Sequence, residues 1–256
     1  MPETLADALV ILQRNLIRFT RQPEMLIGYT IQPIMFVLLF VYVFGGAIKL
    51  GGFPGSYVDF LLPGILVQNI CFGGALTAVG LTEDLNKGLI DRFRSLPMAR
   101  SAVLAGRTFA DVIVNLCSIA IMVAVGLIVG FSFHASALEI VAGILLLLLF
   151  GYAFSWVFAL IGLTAHSAET AQQFGFTVIF PLTFISSAFV PVESMPSALE
   201  AFAKVNPFTI TVDAMRSLFL GTPAGDSIWQ ATLWGLGLVA VFAPLAVLKY
   251  RRVSAR

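Results

Sequence analysis

Side chains able to do chemistry are sparse in this 256-residue chain, and they are unevenly placed. The densest group lies in residues 82–100, where Glu83, Asp84, Lys87, Asp91, Arg92, Arg94 and Arg100 crowd together. No HExxH, CxxC or Gly-x-Ser-x-Gly pattern occurs, so zinc-hydrolase, thiol-redox and nucleophile-elbow chemistries lack their residues. His166 and Ser167 are neighbours at the end of an apolar stretch, but adjacency in sequence is not a catalytic geometry, and an ordinary polar rim explains the pair. No GxxxxGK[ST] phosphate loop is present. Any work this protein does therefore draws its energy from another chain.

The elements around these residues are set by hydrophobicity. Six stretches, residues 25–48, 60–82, 112–138, 140–168, 170–192 and 227–248, run without Lys, Arg, Asp or Glu. A hydrocarbon core about 30 Å thick is crossed by roughly 20 helical residues. Each stretch is long enough, which predicts an all-α integral membrane protein with six transmembrane helices. Hydrophobic residues at 59% and charged residues at 11% fit that class, since soluble domains carry about 25% charged residues. Cys71 and Cys117 both fall inside spans and read as small buried hydrophobes rather than a disulfide. No tandem repeat or linker divides the chain, so a single domain is expected: an interfacial helix over 1–22, a six-span body over 23–248 and a basic tail over 249–256.

Charge placement orients the body. Arg14, Arg18, Arg21, Lys87, Arg92, Arg94, Arg100, Arg107, Lys249, Arg251, Arg252 and Arg256 fall on one side, against Lys49, Lys204 and Arg216 on the other. The positive-inside rule then puts both termini in the cytoplasm. Leu5, Leu9, Leu12, Leu16 and Phe19 form an apolar stripe over residues 4–22, with Arg14, Arg18 and Arg21 on another face. That pattern predicts an amphipathic helix lying on the membrane, its arginines reaching lipid phosphates. No cleavable signal is visible.

Asp59, Asp111, Glu139 and Glu169 are placed near span ends, leaving mid-membrane free of ionisable groups. A charge there costs about 2.5–3.5 kcal/mol even on lenient scales and usually marks an ion or proton relay. A proton-coupled pump is thus disfavoured, although a sodium site of backbone carbonyls would escape this test. The segment 190–226 carries two short helical signals. Ser197 to Glu200 reads as a capping box whose helix stops at Asn206-Pro207. Residues 210–220 end at Gly221 and hold Asp213 and Arg216 three apart, too short a run to span and better read as re-entrant or interfacial.

Residues 82–100 read as a short amphipathic helix. Thr82 would cap it, Glu83 and Asp84 would sit in its first turn, and Pro97 would stop it beyond Arg92 and Arg94. Leu85, Leu89, Phe93 and Leu96 would share a stripe. Such a helix suits a groove on a soluble partner. A solvated loop that only fixes topology explains the same residues, and the physics leaves both open.

The run from Glu83 through Gly88 and Asp91-Arg92 to Pro97, followed by Gly106-Arg107 and Asp111, resembles the cytoplasmic loop of type 2 ATP-binding-cassette export permeases of the daunorubicin-resistance type. A second likeness runs from Ser186-Ser187-Ala188-Phe189-Val190-Pro191 through Met195-Pro196 and Asn206-Pro207 to Asp213, Arg216 and Gly221. The resemblance implies a permease subunit, not an enzyme, that exports a hydrophobic drug, antibiotic or lipid-like molecule. The alternatives are a lipid-linked glycan as cargo, or a scaffold that moves nothing. It implies no cofactor in this chain, with ATP and magnesium held by two partner ATPase subunits, and a second permease copy or paralogue. Membrane lipids and an apolar cargo are the other partners expected, and no nucleic acid. Glu83, Asp84, Leu85, Lys87, Gly88, Leu89, Asp91, Arg92 and Arg94 would form the coupling helix, and Arg14, Arg18 and Arg21 the connecting helix beside it. Pro191, Pro196, Asn206, Pro207, Asp213 and Arg216 would belong to an outer re-entrant pair. Phe174, Phe176, Phe180 and Phe184 would line the cargo pathway, between spans two and five.

Overall fold

The computed structural model describes residues 10–15, 17, 23–45, 53, 55–88 and 100–253, and among these every regular element is helical. The helices are α1 (Pro23–Leu39), α2 (Tyr57–Asn86), α3 (Arg100–Val129), α4 (Ala137–Gly162), α5 (Ala168–Phe184), α6 (Ser197–Val205), α7 (Pro207–Leu220) and α8 (Ser227–Val253). A π-helical turn, Phe40–Phe44, extends α1. Four of the helices, α2, α3, α4 and α8, are long and apolar enough to cross a membrane. The expected fifth span is shorter than its charge-free stretch. α5 has 17 residues, about 25 Å at 1.5 Å per residue, contains Pro181 and ends at Phe184, eight residues before the end of that stretch.

Helix starts are fixed by local chemistry. Ser56 caps α2 in a full capping box with Asp59, and Ser136 does the same for α4 with Glu139. The capping box expected at Ser197 is not formed. Pro196 holds the cap position there, and Ser197 is already the first helical residue. α7 begins as its sequence suggests, on Asn206-Pro207, and ends on Gly221 at φ 67°, a left-handed conformation that glycine adopts without a Cβ clash.

α4 is the centre of the bundle, against α2 on one side and α8 on another, with α5 and α3 flanking α2. Close approach rests on small residues, as membrane helices require. The Phe158 ring of α4 fits between Gly74 of α2 and Gly175 of α5. Gly162 sits directly on the α2 backbone, where an added Cβ would lie 2.8 Å from Ala78 Cα. Thr82 reinforces that crossing, its hydroxyl donating to Ala78 O and Gly162 O, both at 2.9 Å. Because the obstructing atoms are backbone, no rotamer relieves the clash. Gly162→Ala is expected to destabilise the protein by about 1–3 kcal/mol through forced separation of α2 and α4. A lowered thermal unfolding midpoint in detergent checks this.

Candidate functional site

Two places gather polar or aromatic side chains that hydrophobic packing alone does not explain. The first is an ion cluster at the Asn86 end of α2. Asp84 is buried and joins two arginines from elsewhere, Arg14 at 3.4 Å and Arg107 of α3 at 3.3 Å. Arg107 also donates to Leu76 O at 3.3 Å. Lys87 pairs with Glu83 at 3.0 Å on the exposed surface.

This corrects the reading of residues 82–87 as the first turn of a new helix. They are the last turn and C-terminus of α2, which continues to Asn86 and closes through Gly88 at φ 66°. Thr82 cannot act as an N-cap because its hydroxyl is spent on carbonyls inside the bundle. Leu85 packs inward against the cluster of Leu81, Leu104, Trp156 and Tyr250. Leu89, Asp91, Arg92 and Arg94, with Arg18 and Arg21, lie outside the described residues.

The second place is a cavity of about 330 Å³ between α1, α2 and α5, lined by Gln32, Phe36, Gln68, Asn69, Phe72, Gln172, Phe176 and Phe180 among others. Two of the four phenylalanines assigned to a pathway face it. Phe176 meets Phe72 at 5.1 Å between ring centroids, and Phe180 stacks on Phe184 at 4.3 Å. Phe184 stands behind Phe180 rather than on the cavity wall, and Phe174 is exposed elsewhere on α5. From Phe180 the stack continues through Phe184 and Phe189 to Phe40 and Phe36, which returns to the wall. Five rings from three segments thus arch over one end of the cavity. The π-helical turn in which Phe40 lies is the local irregularity that accompanies this arch.

Beyond the arch, the segment after α5 is tied down by two side chains. Asn206 accepts the Phe208 N–H at 2.9 Å and donates to Leu182 O and Ile185 O at 2.6 and 2.7 Å. It thereby serves carbonyls that the end of α5 leaves without helical partners. Arg216 is buried and donates to Phe60 O, Ser187 O and Asp213 Oδ1, with its guanidinium 3.7 Å over the Phe60 ring. Burial pulls its pKa down to about 10, and Asp213 opposes that shift, so the group stays charged at neutral pH. Pro191 opens the short 3-10 turn Val192–Ser194, and Pro196 the helix α6.

Sequence spacing shows the Asp213–Arg216 pair but not the two distant carbonyls that make Arg216 a staple. Gln32, Gln68 and Gln172 carry no spacing signal, since they come from three helices. α3 begins at Arg100, so Asp111 lies about three turns inside it, where it accepts a hydrogen bond from Thr77.

Comparison with known proteins places this geometry. The family model described as "ABC-2 type transporter" matches residues 7–220. The chain is 36% identical over 251 residues to the daunorubicin resistance ABC transporter permease protein DrrB1 of Streptomyces coeruleorubidus, covering 98% of this chain and 88% of that one. It is 26% identical over 252 residues to the probable doxorubicin resistance ABC transporter permease protein DrrC of Mycobacterium tuberculosis, at 98% and 90% coverage. A third relative, the putative transport permease ycf38 of Cyanophora paradoxa, is 28% identical over 84% of this chain and 74% of its own. With a family match over most of its length and a permease relative above 30% identity, the chain belongs to the ABC-2 type transporter permeases.

Proposed function

We propose that this chain is the membrane-spanning subunit of an ATP-driven exporter, carrying a hydrophobic drug, antibiotic or lipid-like molecule out of the cell. ATP is hydrolysed by two separate ATPase subunits, and the chain pairs with a second copy or a paralogue. In this reading the chain crosses the plasma membrane six times, with both termini and the Asp84 cluster on the cytoplasmic side and α6 and α7 on the outer side. The observation that carries this reading is the cavity roofed by stacked phenylalanines, in a family member whose relatives are named as drug-resistance permeases. Residues 83–94 receive the ATPase's movement. Asp84 passes it to α3 through Arg107 and to the N-terminal helix through Arg14. The two halves then rock as rigid bodies to open the cavity outward.

Affinity purification in mild detergent, with mass spectrometry of whatever accompanies the chain, tests the partnership. Stoichiometric recovery of an ATP-binding-cassette ATPase is expected. Its repeated absence, with the permease intact, would count against the exporter.

Asp111 is the one observation that favours a second reading, a transporter driven by protons. The two readings separate on Asp111→Asn. Under ATP drive, export by this variant stays within about threefold of wild type, because an amide still accepts the Thr77 hydroxyl. Loss of export together with loss of its pH dependence would favour the proton.

A further inference from the structure

Four carboxamides stand in a cavity wall otherwise built of phenylalanine, proline and aliphatic side chains. Gln68 is 7% exposed, faces the cavity from the middle of α2, and makes no hydrogen bond with any described residue. Its neighbour Asn69 is different, because its amide is spent on Ser118 Oγ of α3 at 2.7 Å. Gln32 of α1 and Gln172 of α5 bring two more carboxamides to the same space, and no described lining residue is charged. The Gln68 carboxamide therefore opens onto the cavity with two N–H donors and a carbonyl acceptor that no described residue takes up. A ligand can serve them.

We propose that Gln68, with Gln32 and Gln172 around it, makes this cavity selective for uncharged cargo bearing hydroxyl, carbonyl or amide groups, against cationic cargo of the same size. The proposal rests on the cavity being the cargo's route. A carboxamide matches any neutral donor or acceptor, but it supplies only a dipole against a full charge, and a cation moved here loses its hydration without gaining a counter-ion. Aromatic faces can hold a quaternary ammonium when they surround it. Here rings pair with one another, Phe72 with Phe176 and Phe180 with Phe184, which takes faces away from such a cage.

The test uses the full chain in lipid nanodiscs and two fluorescent probes that share one acridone core, one with a hydroxyethyl tail and one with a trimethylammonioethyl tail. Binding is read by fluorescence anisotropy. Wild type is expected to bind the hydroxyl probe at least about tenfold more tightly. Gln68→Leu weakens the hydroxyl probe by about that factor, Gln68→Asn restores part of it, and Gln68→Glu reverses the preference. Equal affinity for the two probes in wild type, or a discrimination that Gln68→Leu leaves unchanged, overturns the proposal. A control distinguishes the underlying reading. If Phe176→Ala alters probe binding while Gln68→Leu does not alter discrimination, the selectivity is wrong and the route stands. If Phe176→Ala changes neither affinity, the probes bind elsewhere and both fail.

Discussion

Replacing Arg216 with methionine is expected to lower the thermal unfolding midpoint of the solubilised protein by about 10 °C. The guanidinium satisfies buried acceptors on two segments. It donates to Phe60 O through both Nε and Nη2, at 3.1 and 2.9 Å, and to Ser187 O at 2.6 Å. Those acceptors belong to α2 and to the turn after α5, which run together at the point where Gly64 lies against the Ala188 backbone. Removing the donor takes three hydrogen bonds from the buried Phe60 and Ser187 carbonyls, at about 1–3 kcal/mol per carbonyl, and leaves Asp213 with its bond from the Ser187 hydroxyl. The total, about 3–4 kcal/mol, converts at about 2–4 °C per kcal/mol for a chain of this size. Arg216→Lys keeps the charge but cannot reach two carbonyls and a carboxylate in one plane, so it recovers less than half. Removing Asp213 alone costs far less, because that residue is half exposed and leaves the carbonyl bonds intact. A midpoint for Arg216→Met within a degree or two of wild type would show that the outer segment is held by apolar packing instead.

The second large effect is at Asp84. Asp84→Ala is expected to cut transport at least tenfold while leaving membrane insertion intact. The carboxylate is the joint between α2, α3 and the helical residues 10–15, and its loss leaves Arg107, nearly buried, facing the space it occupied. Breaking a buried pair by removing one partner costs about 3–5 kcal/mol. Part of this is expected as lost stability and the rest as slack between residues 83–94, the proposed ATPase-facing segment, and the helices packed against α2. The signature of slack is ATPase activity that no longer rises with cargo. A variant that loses stability but keeps cargo-stimulated hydrolysis would make Asp84 a purely structural residue. A double-mutant cycle with Arg14→Ala isolates one arm of the joint, at about 1 kcal/mol for this half-exposed pair.

Most of the helices could be read in advance, because absence of charge over 22 residues or more leaves little else for a chain to be. Their ends could not. Thr82-Glu83-Asp84 looks like a helix start in isolation, with a hydroxyl followed by acids. It is a helix end because Thr82 reaches Gly162, 80 residues away, and Asp84 reaches Arg14, 70 residues away. Local propensity carries no information about partners at such distance. The same holds for the cavity. Phe176 and Phe180 stand out on the α5 sequence, but Gln68 looks like one polar residue in an apolar helix until α1 and α5 are seen to meet it. Phe40 and Phe189, which complete the roof, lie on different segments and share no pattern. The Asn206-Pro207 stop was legible because it is local chemistry. Its bonds to Leu182 and Ile185 were not, because they depend on where α5 breaks.

The most direct test of the account is uptake of an apolar fluorescent dye into inverted membrane vesicles containing this chain and its ATPase. ATP-driven export predicts accumulation that requires ATP, disappears when the partner's nucleotide site is inactivated, and falls with Phe176→Ala. Accumulation that persists without nucleotide and follows an imposed proton or sodium gradient would contradict it.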